Sequence, residues 1–321
     1  MSYRQLAKFL AVAVPLTAIA LIPYLVPPRR KHLRYTHELA SPDDRFVEVD
    51  GFKMRYRVKG ERGTPIILIH GFASSIVTWY RNMDVLAREH RVYAIDLKGW
   101  GLSDKPSEGD YSLLAQAHHL RAFIDALGIE RAVLVGHSMG GTIAVHMAAE
   151  YPERVCGIVL VDPAGARGFP YLGLVSRLMD LPPLRRWAWF ATHYVLSHEG
   201  LLTRNMPRAY FDPEQLSDEM KQALLQPFRT HGFIDAMMNL TRDARFTRLN
   251  GRASLVQCPA LVIWGEADRV LPASDAPYFS SNLRDCKLVV LPEAGHLPHE
   301  EKADEVNRLI EQFARVVCEN E

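Results

Sequence analysis

The stretch Ala132-Val133-Leu134-Val135-Gly136-His137-Ser138-Met139-Gly140-Gly141 decides the fold. Its four leading apolar residues read as a short strand buried on both faces, because a half-exposed strand would alternate with polar residues. From Thr142 to Tyr151 the apolar spacing becomes helical. A strand, a tight turn and a helix, with Ser138 at the turn, is the context that a G-x-S-x-G nucleophile elbow requires. Gly136, Gly140 and Gly141 allow the sharp turn and the close approach of helix to strand. The elbow sets Ser138 at the carboxyl end of a strand, beside a helix N-terminus whose dipole favours developing negative charge.

Working outward, the same short apolar runs recur at Ile66 to Ile69, Val92 to Ile95, Ile158 to Val161, Leu261 to Trp264 and Leu288 to Leu291. Helical patterns lie at Leu113 to Leu127 and Asp304 to Val317. Strand-helix alternation predicts an α/β fold with a mostly parallel, doubly wound sheet. Alternating residues on either side of Asp50-Gly51 predict a hairpin that opens the domain near Arg45.

The alternation breaks between residues 163 and 252, which leaves a core of 45–162 and 253–321 around an insertion. That insertion holds Trp187, Trp189, Phe190, Tyr194, Phe211, Phe228, Phe233, Met237 and Met238 at helix-like spacings. These residues form its own core against the sheet; in the functional alternative some line an apolar substrate pocket beneath a mobile lid.

A serine hydroxyl is a weak nucleophile, so it needs a base, an acid behind the base and donors for an oxyanion. His296, in Glu293-Ala294-Gly295-His296, follows the run ending at Leu291 and is the candidate base; His299, beside the last helix, is its rival. Asp268, in Trp264-Gly265-Glu266-Ala267-Asp268, is the candidate acid, and Asp162, ending the strand before the insertion, is the alternative. Either carboxylate in that place would hold an imidazole in the required tautomer. The backbone amides of Met139, after the serine, and Phe72, in the loop His70-Gly71-Phe72, are the candidate oxyanion donors.

Two other segments carry no chemistry of their own. Asp96-Leu97-Lys98-Gly99-Trp100-Gly101-Leu102-Ser103-Asp104 lacks both the dinucleotide fingerprint and the lysine-serine ending of a phosphate loop. His299-Glu300-Glu301-Lys302-Ala303 lacks the second histidine of a zinc-protease helix. No metal and no cofactor is expected.

These motifs together resemble the α/β-hydrolase superfamily from Arg45 to Val317: His70-Gly71-Phe72, Asp96 to Asp104, Gly136 to Gly141, Trp264 to Asp268 and Gly295-His296. The resemblance implies a triad of Ser138, Asp268 and His296, an oxyanion hole from Phe72 and Met139, and a helical cap made by the insertion. Haloalkane dehalogenases and related epoxide hydrolases carry aspartate where this chain has Ser138. Carbon-carbon bond hydrolases of aromatic breakdown usually carry asparagine and tryptophan where it has His137 and Leu297. The elbow is similar to that of bacterial lipases and esterases, and the arrangement of the apolar N-terminus to membrane-anchored monoacylglycerol lipases. The expectation is a serine esterase acting on an apolar acyl substrate; the alternatives are carbon-carbon or peracid chemistry on the same triad, or a non-catalytic binding protein of this fold.

Of 321 residues, 48% are hydrophobic and 23% charged, an ordinary globular balance that excludes disordered, collagen and coiled-coil classes. A net charge of +1 gives no reason to expect a nucleic-acid partner. Cys156, Cys258, Cys286 and Cys318 show no metal-ligand spacing and read as free thiols, with a Cys258–Cys286 disulfide as the alternative. Residues 9–28, FLAVAVPLTAIALIPYLVPP, form an uncharged run of about 20 residues, long enough for a membrane helix. An uncleaved anchor is expected, against a cleaved signal peptide or an apolar arm packed on the protein. Arg29, Arg30, Lys31 and Arg34 bias the catalytic body toward the cytoplasm, whereas a signal-anchor, or secretion after cleavage, puts it outside. Residues 29–44 read as a linker.

Overall fold

A computed structural model describes residues 21–25, 33–167, 177–178, 181–198, 203–204, 206–243 and 249–319. The expected anchor at 9–28 lies outside the described residues except for 21–25, which are helical. Among the described residues no helix is long and apolar enough to cross a membrane.

The strands are β1 (Arg45–Val49), β2 (Phe52–Lys59), β3 (Pro65–Ile69), β4 (Arg91–Ile95), β5 (Ala132–His137), β6 (Val155–Val161), β7 (Ala260–Gly265) and β8 (Cys286–Leu291). They form one sheet in the order β1-β2-β4-β3-β5-β6-β7-β8. The first two pairings, β1 with β2 and β2 with β4, are antiparallel, and all the others are parallel. The hairpin turns at Asp50 and Gly51 with φ of 48° and 81°, the left-handed pair that suits a two-residue connection.

The helices of the body are α1 (Met83–Leu86), α2 (Leu113–Ala126) and α3 (Met139–Glu150), and the insertion contributes α4 (Pro182–Ser197), α5 (Asp218–Leu225) and α6 (Phe233–Asp243). The chain ends with α7 (Ala276–Asn282), α8 (Pro298–Glu301) and α9 (Ala303–Glu319). Strand residues alternate between two buried layers. Ile67, Ile69 and Leu134 pack with α2, α3 and the insertion's Phe233, whereas Ile66, Leu68 and Val133 pack with α1 and the inner stripe of α9, Val306, Ile310 and Ala314.

Two strands differ from the sequence reading for identifiable reasons. Strand β6 begins at Val155 rather than Ile158, because Gly157 interrupts the apolar pattern while serving the packing. A Cβ there would lie 2.8 Å from the ring of Phe313 on α9. Strand β8, read as buried on both faces, is the sheet's edge, and Val290 is 44% exposed.

The end of the expected linker is tied to the body. Asp44 accepts from Arg55 at 2.8 Å and Arg57 at 2.7 Å, and Arg34 N donates to Arg229 O at 2.9 Å. Cys258 and Cys286 carry free thiols, and burial pushes both up to about 11. The parallel strands β3, β5, β6, β7 and β8 bring His70, Ser138, Asp162, Asp268 and His296 to one carboxyl edge, the usual place for a site in a sheet of this kind.

Candidate active site

Ser138 stands between β5 and α3 with φ 51° and ψ −114°, a conformation that a residue with a side chain adopts only under constraint. Such a residue stores about 1–3 kcal/mol of strain. Its amide donates to Val161 O at 2.9 Å, and its carbonyl accepts from Gly141 N and Ala164 N at 3.0 Å each. The glycines around it are sterically obligatory. A Cβ on Gly140 would lie 2.3 Å from Ile69 O, and one on Gly136 would lie 2.4 Å from Gly140 O. The turn thus forms the first turn of α3, which begins at Met139 rather than at Thr142.

His296 and Asp268 meet directly. His296 Nδ1 is 2.7 Å from Asp268 Oδ2, and both side chains are buried. The other oxygen, Oδ1, accepts from Val270 N at 2.7 Å and Leu271 N at 2.9 Å. A carboxylate so held accepts a hydrogen bond from Nδ1–H, which leaves the lone pair of the imidazole on Nε2. The loop carrying Asp268 is closed by Trp264 Nε1, which donates to Leu271 O at 3.2 Å.

The residue before the serine ties His296 to the elbow. His137 Nε2 donates to His296 O at 2.8 Å, and the two rings lie 4.8 Å apart. Burial, with help from His299 and His296, holds His137 well below the usual histidine range, so it is a neutral donor. The sequence reading assigned His137 no such task, since nothing local links residues so far apart.

His299, the rival base, is fully buried against Trp79, with ring centroids 4.5 Å apart. Its Nε2 lies 2.9 Å from Thr78 Oγ1, whose proton goes to Glu300 Oε1 at 2.5 Å, so His299 is the donor. Burial, and then the neighbouring His296, push it down to about 3. A ring that is enclosed and already bonded in this way cannot reach a substrate.

Asp162, the alternative acid, is fully buried at φ 43°, and its Oδ1 accepts from Gly265 N at 2.9 Å. Among the described residues its Oδ2 accepts nothing. Burial, and then the charge of Asp268, raise its pKa well above the usual carboxylate value, which favours the protonated form. Asp162→Asn is therefore expected to keep kcat within about threefold, since an amide also offers one acceptor and one donor and tolerates positive φ. Asp162→Ala strips Gly265 N–H of its acceptor and should lower Tm by a few degrees, as loss of a buried partner costs roughly 1–3 kcal/mol. A collapse of kcat in the asparagine variant would mean that Asp162 acts as an ionised acid.

Donor atoms of Asp162, Asp268 and His296 all lie within 4.8 Å of one another, and a metal would need a free ligand atom from each of them. His296 Nδ1 is committed to Asp268, and Asp162 Oδ1 to Gly265 N, so the set is arranged as a hydrogen-bonded cluster.

The expected oxyanion donors flank the serine. Met139 opens α3, where the first four N–H groups have no acceptor inside a helix. The Phe72 loop reaches the elbow through Gly71, on which a Cβ would lie 3.2 Å from Ser138 Cβ. His70 shapes that loop: Leu97 N donates to its Nε2 at 3.2 Å, so its Nδ1–H donates to Gly71 O at 2.7 Å. The ring of Phe72 packs on Trp100 at 5.1 Å, and Trp100 on Phe233 of the insertion at 5.6 Å. Phe228, Phe233 and Met238 are buried here and belong to the packing, whereas Tyr194 and Phe211 are exposed.

A model of the alpha/beta hydrolase fold matches residues 64–303. The chain is 32% identical to the dihydrolipoyllysine-residue acetyltransferase component of the acetoin cleaving system of Pseudomonas putida, over 86% of this chain and 70% of that one. It is also 32% identical to the 2-hydroxy-6-oxononadienedioate/2-hydroxy-6-oxononatrienedioate hydrolase of Burkholderia vietnamiensis, over 86% and 96%. The solved structure of Est816, described as an N-acyl homoserine lactone degrading enzyme, superposes with a TM-score of 0.68 at 30% identity, covering 84% of this chain and all of its own. With 240 residues (64–303) matched to one family model and a strand-elbow-helix at its centre, this chain belongs to the alpha/beta hydrolase fold family.

Proposed function

We propose that the protein is a serine hydrolase that cleaves carboxylic esters of apolar acyl substrates through an acyl-Ser138 intermediate. One observation carries this reading: the His296–Asp268 pair at 2.7 Å, hung from the residue that precedes a strained serine. His296 Nε2 takes the Ser138 proton as Oγ attacks the ester carbonyl, and Asp268 stabilises the resulting imidazolium. The amides of Met139 and Phe72 take the oxyanion. His296 then protonates the leaving alcohol and activates water to release the acid.

The likeness to Est816 supports ester chemistry, because a lactone is a cyclic ester. The likeness to the Burkholderia vietnamiensis hydrolase favours a second reading, carbon-carbon bond hydrolysis on the same residues. His137 weighs against it, since its imidazole occupies the place before the serine and is spent on His296 O. The uncharged run at 9–28 extends the first reading to a lipid substrate, possession of an anchor setting the body at a membrane surface.

A graded series of 4-nitrophenyl esters, with and without detergent micelles, tests both parts. Turnover that rises with acyl length and with micelles is the expected result. Hydrolysis of a 2-hydroxy-6-oxo-dienoate with no ester turnover at any chain length would overturn it.

A further inference from the structure

Glu301 takes no part in that chemistry, yet its carboxylate is buried beside the base. Oε2 accepts from Gly295 N, the amide before His296, at 2.7 Å. Oε1 accepts from Phe211 N at 2.6 Å and Asp212 N at 3.2 Å, both in the insertion between β6 and β7. His296 N itself donates to Ala209 O at 2.7 Å. The packing is as close as the bonding: a Cβ on Gly295 would lie 2.5 Å from Ala209 O and 2.6 Å from Phe211 N. Alongside, Glu300 Oε2 accepts from Tyr210 Oη at 2.6 Å. The consecutive residues Ala209 to Asp212 are thus laced to the loop and the short helix α8 that follow β8.

From this lacing we infer that Glu301 is a positioning residue for His296: it locks insertion residues 209–212 onto Gly295-His296, so that the base is aligned only while the insertion is seated. The inference rests on the reading of His296 as the base. Three N–H groups converge on the two carboxylate oxygens, so both must accept. Glutamine cannot replace it, because its NH2 would face an N–H whichever way the amide turned. Displacement of the insertion by a bulky substrate or product would then reach the base through one backbone hydrogen bond, His296 N to Ala209 O, and one carboxylate. Opening of the insertion and disarming of the serine become one event.

The test compares wild type, Glu301→Gln and Glu301→Asp by three readouts: the rate at which a fluorophosphonate labels Ser138, kcat and KM for 4-nitrophenyl acetate, and amide exchange at Phe211 and His296. Acetate is too small to depend on an acyl pocket, so its turnover reports the base rather than the insertion's contacts with substrate. In Glu301→Gln the labelling rate and acetate kcat should fall together by about tenfold or more with KM little changed, since sub-ångström misplacement of a base is costly. Exchange at Phe211 and His296 should rise together. Glu301→Asp, which keeps the charge but is one methylene shorter, should fall between the two and replaces the glutamine variant if that one does not fold.

Labelling and acetate kcat equal to wild type would overturn the role, as would a loss confined to KM for the acetate. A wild type that labels but turns over no ester overturns the ester reading alone, because the labelling comparison still decides for Glu301. A wild type that does not label removes His296 as base, and the positioning role with it.

Discussion

Ser138→Ala is expected to lower kcat by roughly 10⁴-fold or more while leaving KM nearly unchanged, and to abolish labelling by a fluorophosphonate. The size of the loss follows from covalent catalysis: without Oγ no acyl-enzyme forms, and what remains is binding plus the oxyanion donors. The fold should survive. Ser138 makes its structural bonds through its backbone, to Val161 O and from Gly141 N and Ala164 N, and alanine keeps all of them. Alanine at φ 51° is strained about as much as serine, so Tm should move by no more than a few degrees. An alanine variant that labels like wild type would show that the nucleophile lies elsewhere.

Asp268→Asn should be nearly as severe, at roughly 10³ to 10⁴-fold in kcat, and for a reason peculiar to the bonds around this carboxyl. Oδ1 accepts from two backbone amides, Val270 N and Leu271 N, which forces the oxygen of an asparagine into that position. Its NH2 then faces His296 Nδ1 and donates to it. The imidazole must move its proton to Nε2, and in that tautomer it cannot take the proton of Ser138. The same argument predicts that fluorophosphonate labelling slows in parallel with kcat, since both need the base. Nearly unchanged kcat would pass the role of acid to Asp162, which faces the same histidine. The double variant with Asp162→Ala would then lose what the single one kept.

The legible part of this protein was its frame. Apolar runs at 66–69, 92–95, 132–135 and 261–264 lie within the observed strands β3, β4, β5 and β7, because a strand buried on both faces writes itself as consecutive apolar residues. The Asp50-Gly51 hairpin was equally plain, as its turn needs two left-handed residues and those types supply them cheaply. Edge and centre were not distinguishable: Leu288 to Leu291 has the composition of an inner strand, and what exposes Val290 is that, among the described residues, no strand lies beyond β8.

Within the site, Ser138, His296 and Asp268 were placed by their positions after strand ends, a signal carried by a few neighbouring residues each. What distinguishes Asp268 from Asp162, and His296 from His299, is visible only in three dimensions. All four sit in plausible loops by sequence, and what separates them is burial and the partner each ring or carboxylate already has. His137 and Glu301 gave no sequence signal at all. Their tasks are hydrogen bonds to His296 O, Gly295 N and Phe211 N, atoms that every residue owns and no pattern marks.

By itself the sequence determined the parallel sheet, the elbow and the chemical kind of each candidate residue, since hydrophobic period and turn chemistry are properties of adjacent residues. Only the tertiary structure decided which carboxylate meets His296, which histidine is sealed away and how the insertion grips the loop after β8. Those outcomes depend on distances of a few ångströms between segments far apart in the chain, and on the protons that burial leaves in place.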